Sequence, residues 1–226
     1  MFGIDHVVVW TPERDAVVEA LSAATGLPVL EGYAPEGRLM ARGVRFANGP
    51  FLDVHQAPAD GPVLMGLGGR LSDAQALAER QGWRFRVGAG HDEPWDMLSF
   101  RKDQGLVTQL FVIDYRLEQV EALPAFNRGL YHRPPAGGPP LARVWIAASD
   151  VVRAGADLEA LGFEDGGEVR SAAAPFEGRL YRGARGDVVV CAGKDGVVRI
   201  DAPTDGALVE VALGSKLRAV VGRDDA

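Results

Sequence analysis

The sequence predicts an α+β protein made of repeated βαβββ modules, in which paired mixed sheets curve around a cup. Three observations support this fold class. A strand pattern at the N-terminus is followed by a helix pattern and three more strand patterns. The same order begins again about 60 residues later, and a third time near residue 141. A single module leaves one face of its sheet open, so it requires a second module to cover that face.

The first module begins with a strand of alternating polarity at residues 2–10. Thr11-Pro12 predicts a helix start, with a capping threonine followed by proline at the first helical position, and Gly26 predicts the helix end. One face of the first strand is predicted to carry Phe2, Ile4, His6, Val8 and Trp10. Three further strands are predicted around 28–33 and at 38–46 and 51–56.

The second module repeats this order. A strand is predicted at 62–69, and the capping box Ser72 to Gln75 predicts the start of a helix that ends at Gly82. Three strands are then predicted at 83–90, 96–103 and 108–115.

A linker rich in proline and glycine separates the third module from the first two, and 117–123 predicts a short helix within it. The third module opens with a strand at 141–148 and a helix capped by Asp150 and ended by Gly162. Four strands are predicted at 179–184, 187–193, 196–202 and 207–214. The predicted organisation is a paired cup at 1–116, a linker at 117–140, a third module at 141–214 and a tail at 215–226.

Composition argues against several classes of partner. The net charge is -7 and the basic residues are scattered, so we expect no binding to nucleic acid. No apolar stretch approaches the ~20 residues that cross a bilayer, and the N-terminus does not read as a signal peptide. We therefore expect a cytoplasmic protein without a membrane partner. The single cysteine, Cys191, excludes an internal disulfide and indicates a buried apolar side chain.

Short motifs resemble those of a known superfamily. FGIDHVVVWTPERD, the helix ending ATGL and the strand NGPFLDVHQ resemble the first module of the glyoxalase, bleomycin-resistance and extradiol-dioxygenase superfamily, also called the vicinal oxygen chelate superfamily. LFVIDY and the connector LYHRPP resemble its glyoxalase-like domain branch. This resemblance covers residues 2 to about 213 and implies the glyoxalase/bleomycin resistance-like fold.

The resemblance also implies a set of metal ligands. In metal-binding members they are His, Glu or Gln from the first and last strands of two paired modules. The corresponding positions of the first module are His6 and Asp53, with His55 on the same strand face as Asp53. The second module offers no ligand on its first strand, and Asp114 on its last strand matches better than Gln109. Such a set would suit a divalent ion such as Zn, Fe, Mn or Ni.

The residues themselves leave two interpretations of His6 and Asp53 open. A buried acid in an apolar strand requires a partner, and a contact between His6 and Asp53 would satisfy both groups without a metal. Alternatively, the pair is catalytic or binds a metal. Trp95, Met97 and Phe111 are candidates for the apolar wall of a substrate pocket, although strand residues of this kind are often plain core. His91 is expected in a loop, and His132 in the connector is expected at the surface, with capping of the cup's mouth as the alternative.

Two functions remain at this point. The first is binding of a small-molecule ligand in the cup between modules, without a metal. The second is a metal-dependent lyase, isomerase or dioxygenase that acts on a small substrate with vicinal oxygens. A third module without a mate leaves a sheet face uncovered, so this face is expected to pack either on the cup or on another subunit, the second of which would make a homodimer.

Overall fold

The computed structural model describes residues 2–34, 36–89, 94–101, 105–122, 129–131 and 137–223. The predicted fold class is confirmed, because the chain forms two mixed sheets of eight and seven strands with few helices. His91 and His132 lie outside the described residues. Among those residues, no helix combines the length and the apolar character needed to cross a membrane.

The first sheet contains both N-terminal modules in the strand order β2-β3-β4-β1-β5-β8-β7-β6. The modules join side by side, since β1 pairs antiparallel with β5. The first module comprises β1 (Gly3–Thr11), α1 (Arg14–Thr25), β2 (Leu30–Tyr33), β3 (Leu39–Arg45) and β4 (Phe51–Gln56). The second comprises β5 (Leu64–Gly68), α2 (Leu71–Gln81), β6 (Phe85–Ala89), β7 (Trp95–Phe100), a 3-10 helix (Gly105–Gln109) and β8 (Leu110–Tyr115).

The second sheet has the order β10-β11-β12-β9-β13-β15-β14, and the short helix α3 (Leu117–Ala122) precedes it in the chain. Its first five elements form a complete βαβββ unit. They are β9 (Arg143–Ala148), α4 (Val151–Ala160), β10 (Glu164–Arg170), β11 (Glu177–Arg182) and β12 (Asp187–Ala192). Three further strands follow, β13 (Gly196–Ala202), β14 (Val209–Ala212) and β15 (Arg218–Val221).

These last three strands correct the predicted content of the third module. β15 pairs with both β13 and β14. β13 joins β9 antiparallel, as β5 joins β1 in the first sheet. The three strands are therefore a shortened fourth module without a helix. β15 lies inside the predicted tail, which is therefore wrong over residues 218–221. The predicted third module also omitted β10, because that polar, glycine-containing edge strand has no alternation of apolar residues.

Helix boundaries were predicted better at their ends than at their starts. Gly26 and Gly82 follow α1 and α2 with positive φ angles of 71° and 68°, which favour glycine. Asp150 caps α4 by accepting a hydrogen bond from the Arg153 N–H. The predicted caps Thr11 and Ser72 are wrong, since α1 starts at Arg14 and α2 starts one residue before Ser72, at Leu71.

One continuous apolar core lies between the two sheets and contains the buried faces of α1, α2 and α4. α1 packs on β3 and β4 of its own sheet and on β14 and β15 of the other. Each sheet therefore turns its second face away from this core. Pairing of the third module with the shortened fourth module occurs within one chain, and a homodimer stays a prediction.

The outer faces of the two sheets differ. On the second sheet, Arg199 is fully buried, and its guanidinium lies 4.7 Å from the centre of the Trp145 ring. Arg199 donates to Asp201 Oδ1 and to Ser171 Oγ, each at 2.6 Å, and Asp201 Oδ2 accepts from Trp145 Nε1 at 2.8 Å. Arg199 also donates to the Ala173 carbonyl at 2.6 Å. The segment after β10 covers part of this outer face of the second sheet, and a cavity of about 500 Å³ lies beside it, lined in part by Ala147, Pro175 and Cys191.

Candidate functional site

The outer face of the first sheet holds a cavity of about 760 Å³. Its walls are mostly apolar side chains from β1, β5, β7 and β8, including Val8, Leu64, Met97, Phe111 and Ile113. The rings of Trp10, Trp95, Tyr115 and Tyr131 also line it. A few polar groups are set into these walls, namely His6, Asp53, His55, Ser99, Thr108, Gln109 and Asp195.

A β-bulge on β1 determines which residues reach this cavity. The pairing of β1 with β5 shifts between Ile4 and His6. Phe2 and Ile4 consequently belong to the core between the sheets, whereas Val8 and Trp10 lie with His6 on the cavity side. The prediction that all five share one face is wrong for Phe2 and Ile4, because the extra residue of a bulge reverses the alternation.

His6 is held by a hydrogen bond to its neighbour Asp5. Its Nδ1 lies 2.7 Å from Asp5 Oδ2, and the same oxygen accepts from the Tyr115 hydroxyl at 3.1 Å. The ring stacks on Phe51 at 4.6 Å between centres and meets the edge of Phe111 at 5.1 Å. No hydrogen bond to His6 Nε2 occurs within the described residues. The imidazole is thus fixed in orientation, with its second nitrogen left for another partner.

The charge of Asp5 is stabilised although the side chain is buried. Burial alone would raise the pKa of Asp5, but the hydrogen bond and charge of His6, with the Tyr115 hydroxyl, hold it below its ordinary value. Burial and the neighbouring Asp5 carboxylate raise the pKa of Tyr115 well above its ordinary value, so Tyr115 is a hydrogen-bond donor at neutral pH. Arg185 Nη1 lies 4.0 Å from Asp5 Oδ1 and adds compensation.

Asp53 forms the second polar group of the cavity. Its Oδ2 lies 3.1 Å from Nε2 of His55, whose ring stacks on Trp10 at 5.6 Å. Burial would lower the pKa of His55, but the hydrogen bond to Asp53 raises it overall. The other oxygen, Asp53 Oδ1, is buried and has no hydrogen-bond partner within the described part of the chain. One of the two carboxylate oxygens of Asp53 therefore has no described hydrogen bond to offset its burial.

The predicted contact between His6 and Asp53 is wrong. Both side chains line the same cavity, as predicted, but each has its own partner, Asp5 for His6 and His55 for Asp53. The two residues lie diagonally on adjacent strands, since His6 pairs with Phe51 and Asp53 with Val8. Sequence reasoning missed Asp5 and Tyr115. An acid directly beside His6 in an apolar strand was the available signal, but ordinary alternation would direct it to the opposite face.

The predicted apolar wall residues Trp95, Met97 and Phe111 all line the cavity, and a role in substrate binding stays a prediction. The prediction of Asp114 as a metal ligand is wrong, because Asp114 does not reach the cavity. It lies on the face of β8 opposite the cavity, where its Oδ2 accepts a hydrogen bond of 2.9 Å from the Leu71 N–H at the start of α2. Gln109, which the sequence ranked lower, lies in the cavity wall.

Comparisons with known proteins rest on structure alone. No protein-family model matches the sequence, and no curated protein matches it. Homoprotocatechuate 2,3-dioxygenase from Arthrobacter globiformis superposes with a TM-score of 0.62 at 14% identity, over 97% of this chain and 79% of that one. The Mn(II)-bound glyoxalase from Novosphingobium aromaticivorans gives 0.61 at 11%, over 97% and 81%. The chain has the vicinal oxygen chelate fold.

This chain shares its fold with a hypothetical protein from Staphylococcus aureus over nearly the whole length of both. It superposes with a TM-score of 0.65 at 9% identity, and the match covers 98% of this chain and 99% of that one. At such identities a shared fold does not carry an activity with it. The resemblance seen in the sequence is confirmed for the fold, and the chemistry must be argued from the cavity.

The Mn(II) named for the glyoxalase raises the question whether this cavity fits a divalent ion. The resemblance requires ligands from the second module, but the β5 residue paired with His6 is Gly66, and the cavity-facing residues of β8 include Phe111 and Ile113. Among the described cavity residues of this module, Gln109 alone is of a ligand type that the resemblance implies. A Cβ at Gly66 would lie only 2.8 Å from His6 Cε1, so the ring already occupies this space. Within the described residues no group of three His, Cys, Asp or Glu side chains is placed to hold a metal. The residues present do not fit a divalent ion.

Proposed function

We propose that this protein binds a small, largely apolar molecule in the cavity of its first sheet, without a metal ion. The observation that carries the proposal is the cavity itself, with a volume of about 760 Å³ and aromatic and aliphatic walls. Ligand sites are typically pockets of ~300–1,000 Å³ whose walls are apolar and contain few polar groups.

His6 supplies a polar contact of defined direction in this proposal. Asp5 holds Nδ1, so the ligand meets Nε2, the nitrogen without a hydrogen bond in the described structure. Stacking on Phe51 prevents the ring from turning aside. A ligand with an apolar body and one group that hydrogen-bonds to imidazole matches this arrangement.

The metal-dependent lyase, isomerase or dioxygenase is the less favoured alternative. It is supported by the fold shared with the dioxygenase and the Mn(II)-bound glyoxalase. It requires ligands from the second module, where Gly66 and Phe111 stand. Metal content, measured on protein purified without chelator or nickel affinity resin, separates the two functions. The proposal expects far less than one metal ion per chain, and a stoichiometric ion would overturn it.

Binding is tested with N-phenyl-1-naphthylamine, an uncharged probe that fluoresces in apolar surroundings. Leu64→Trp places a large ring in the cavity wall and should weaken probe binding by at least about tenfold. Val209→Trp is the matched control, since Val209 is exposed on β14 and lies outside the cavity wall. Failure of the parent to bind the probe, or equal binding by Leu64→Trp, would contradict the proposal.

His6→Gln tests the polar contact. This variant keeps a hydrogen-bonding side chain of similar length and should fold nearly as well as the parent. It should lose affinity for ligands that hydrogen-bond to the imidazole while still binding the uncharged probe. Unaltered binding of imidazole-contacting ligands by a well-folded His6→Gln variant would return His6 to a purely structural role.

A further inference from the structure

The charge of the cavity wall is one-sided. Within the described residues the wall contains no lysine or arginine, whereas Asp53 and Asp195 both belong to it. The nearby Arg45 is directed elsewhere, because its guanidinium donates to the carbonyl oxygens of Leu130 and Tyr131. An anionic ligand would meet no lysine or arginine in the described part of this wall and would approach these carboxylates, and His55, whose pKa is raised, is already bonded to Asp53.

The acids near the cavity differ in how far they are already compensated. Asp5 has His6, Tyr115 and Arg185 around it. Asp195 Oδ1 accepts a hydrogen bond of 2.7 Å from the Ser149 N–H. Asp53 differs, because its side chain is only 6% exposed and Oδ1 has no partner in the described structure. A buried carboxylate oxygen of this kind is stabilised when a donor or a positive charge arrives.

The apolar part of the wall also favours a cation. Trp95 lies between Tyr115 and Tyr131, at 6.3 and 5.9 Å between ring centres, and Trp10 stacks beside the His55 that contacts Asp53. The faces of aromatic rings attract positive charge and repel negative charge. The aromatic rings of the wall and the Asp53 carboxylate therefore both favour a positively charged ligand.

We propose that the cavity selects an arylalkylamine, protonated at neutral pH, with its ammonium group at Asp53 and its aromatic body among the rings of Trp10, Trp95, Tyr115 and Tyr131. This inference rests on the proposed function, because it names the ligand class of that same cavity. Asp53 provides the charge, and His55 keeps the Asp53 side chain in place through Oδ2.

Three probes with one aromatic body test the inference. They are 2-(2-naphthyl)ethylamine, uncharged 2-ethylnaphthalene and 3-(2-naphthyl)propionate, each used to displace N-phenyl-1-naphthylamine near neutral pH. The amine should bind at least about fivefold more tightly than the uncharged compound, and the carboxylate should bind more weakly than both. Equal or tighter binding of the carboxylate would overturn the inference.

Variants assign the selectivity to one residue. Asp53→Asn preserves the shape of the side chain and should bring the amine to within about twofold of the uncharged compound, whose affinity should not change. Asp157→Asn is the matched control, because Asp157 also is buried with one carboxylate oxygen unpartnered in the described structure, but lies on α4 outside the cavity. Unchanged amine preference in Asp53→Asn would refute the assignment.

The outcomes separate this inference from the proposed function. If N-phenyl-1-naphthylamine does not bind the parent protein, the proposed function fails. If that probe binds and the amine shows no preference over 2-ethylnaphthalene, the cavity binds small molecules but the ligand class is wrong. Should Asp53→Asn not fold, the order of the three probes on the parent still decides the ligand class.

Discussion

Removal of the Asp5 carboxylate should destabilise the fold by disconnecting His6 and Tyr115 together. One oxygen, Asp5 Oδ2, accepts from His6 Nδ1 at 2.7 Å and from the Tyr115 hydroxyl at 3.1 Å. All three side chains lie within or beside the cavity wall, where water does not replace a lost acceptor freely. Asp5→Ala therefore leaves two donors without a partner.

The expected magnitude follows from these two bonds. A buried donor left unsatisfied costs ~1–3 kcal/mol, so two donors give ~2–6 kcal/mol. Loss of the buried charge returns part of this amount, because burial by itself disfavours the Asp5 carboxylate. We expect a net loss of about 2–4 kcal/mol in the free energy of unfolding. Tyr115→Phe, which removes one donor, should cost about 1 kcal/mol.

Urea unfolding followed by tryptophan fluorescence near pH 7 measures these differences. In the double variant Asp5→Ala/Tyr115→Phe, the loss of unfolding free energy should differ from the sum of the two single losses by about 1 kcal/mol. Asp15→Ala is the control, since Asp15 forms exposed ion pairs with Arg14 and Arg42, and should change stability by no more than about 0.5 kcal/mol. A loss below about 1 kcal/mol for Asp5→Ala, or additive effects in the double variant, would refute the reasoning.

The pH dependence gives this reasoning a second readout. The pKa of Asp5 is lowered in the folded protein, so its contribution to stability is present above its ordinary value of 3.8. That contribution is lost as the pH falls through the lowered folded-state pKa. The gap in stability between the parent and Asp5→Ala should therefore persist from neutral pH to about pH 4 and narrow only below it.

Four further predictions concern other parts of the molecule. Burial raises the pKa of Asp157 to about 6, so its charge destabilises the fold above that pH and has no effect on stability below 3.8. Asp157→Asn should therefore raise the free energy of unfolding by on the order of 1–3 kcal/mol at pH 8 and by little at pH 4. An equal rise at both pH values would contradict this prediction. Gly66→Ala places a Cβ 2.8 Å from His6 Cε1 and should cost ~1–3 kcal/mol in urea unfolding and shift the His6 ring resonances, and unchanged spectra would argue against the contact. Asp114→Ala removes a hydrogen bond at the start of α2, costs ~0.5–2 kcal/mol and leaves cavity-probe affinity intact, whereas weaker probe binding would return Asp114 to the site. Fluorescence anisotropy should detect no salt-dependent binding of DNA or RNA by this chain of net charge -7, and micromolar affinity that falls steeply with salt would overturn that expectation.

The fold could be predicted from local signals because each module repeats them. Strands with apolar residues and helices ended by Gly26 and Gly82 were recognised wherever the pattern was regular. β10 and β15 were missed for physical reasons. The first is an exposed edge strand with no apolar face. The second, RAVV, has three consecutive buried apolar residues and therefore no alternation of apolar and polar positions.

The site was predictable to a smaller extent. His6 and Asp53 reach the cavity because Val8 and Trp10 fix the cavity face of β1 beyond the bulge. The partner of His6 could not be predicted, since it depends on that bulge. The residue types at positions 4–6 do not indicate that one strand carries an extra residue at this point of the pairing. A bulge beside a functional group is a common way to redirect one side chain, and here it brings Asp5 to His6.

The joints between modules differ in the two sheets. Both are built by joining two modules through an antiparallel pair, β1 with β5 and β9 with β13. At the second joint the large side chains of Trp145 and Arg199 face each other as paired residues and fill the space. At the first joint His6 faces Gly66, and the missing side chain of Gly66 makes room for an imidazole. The residue opposite the first strand thus determines whether a joint of two modules is filled by two large side chains or leaves room for a histidine ring.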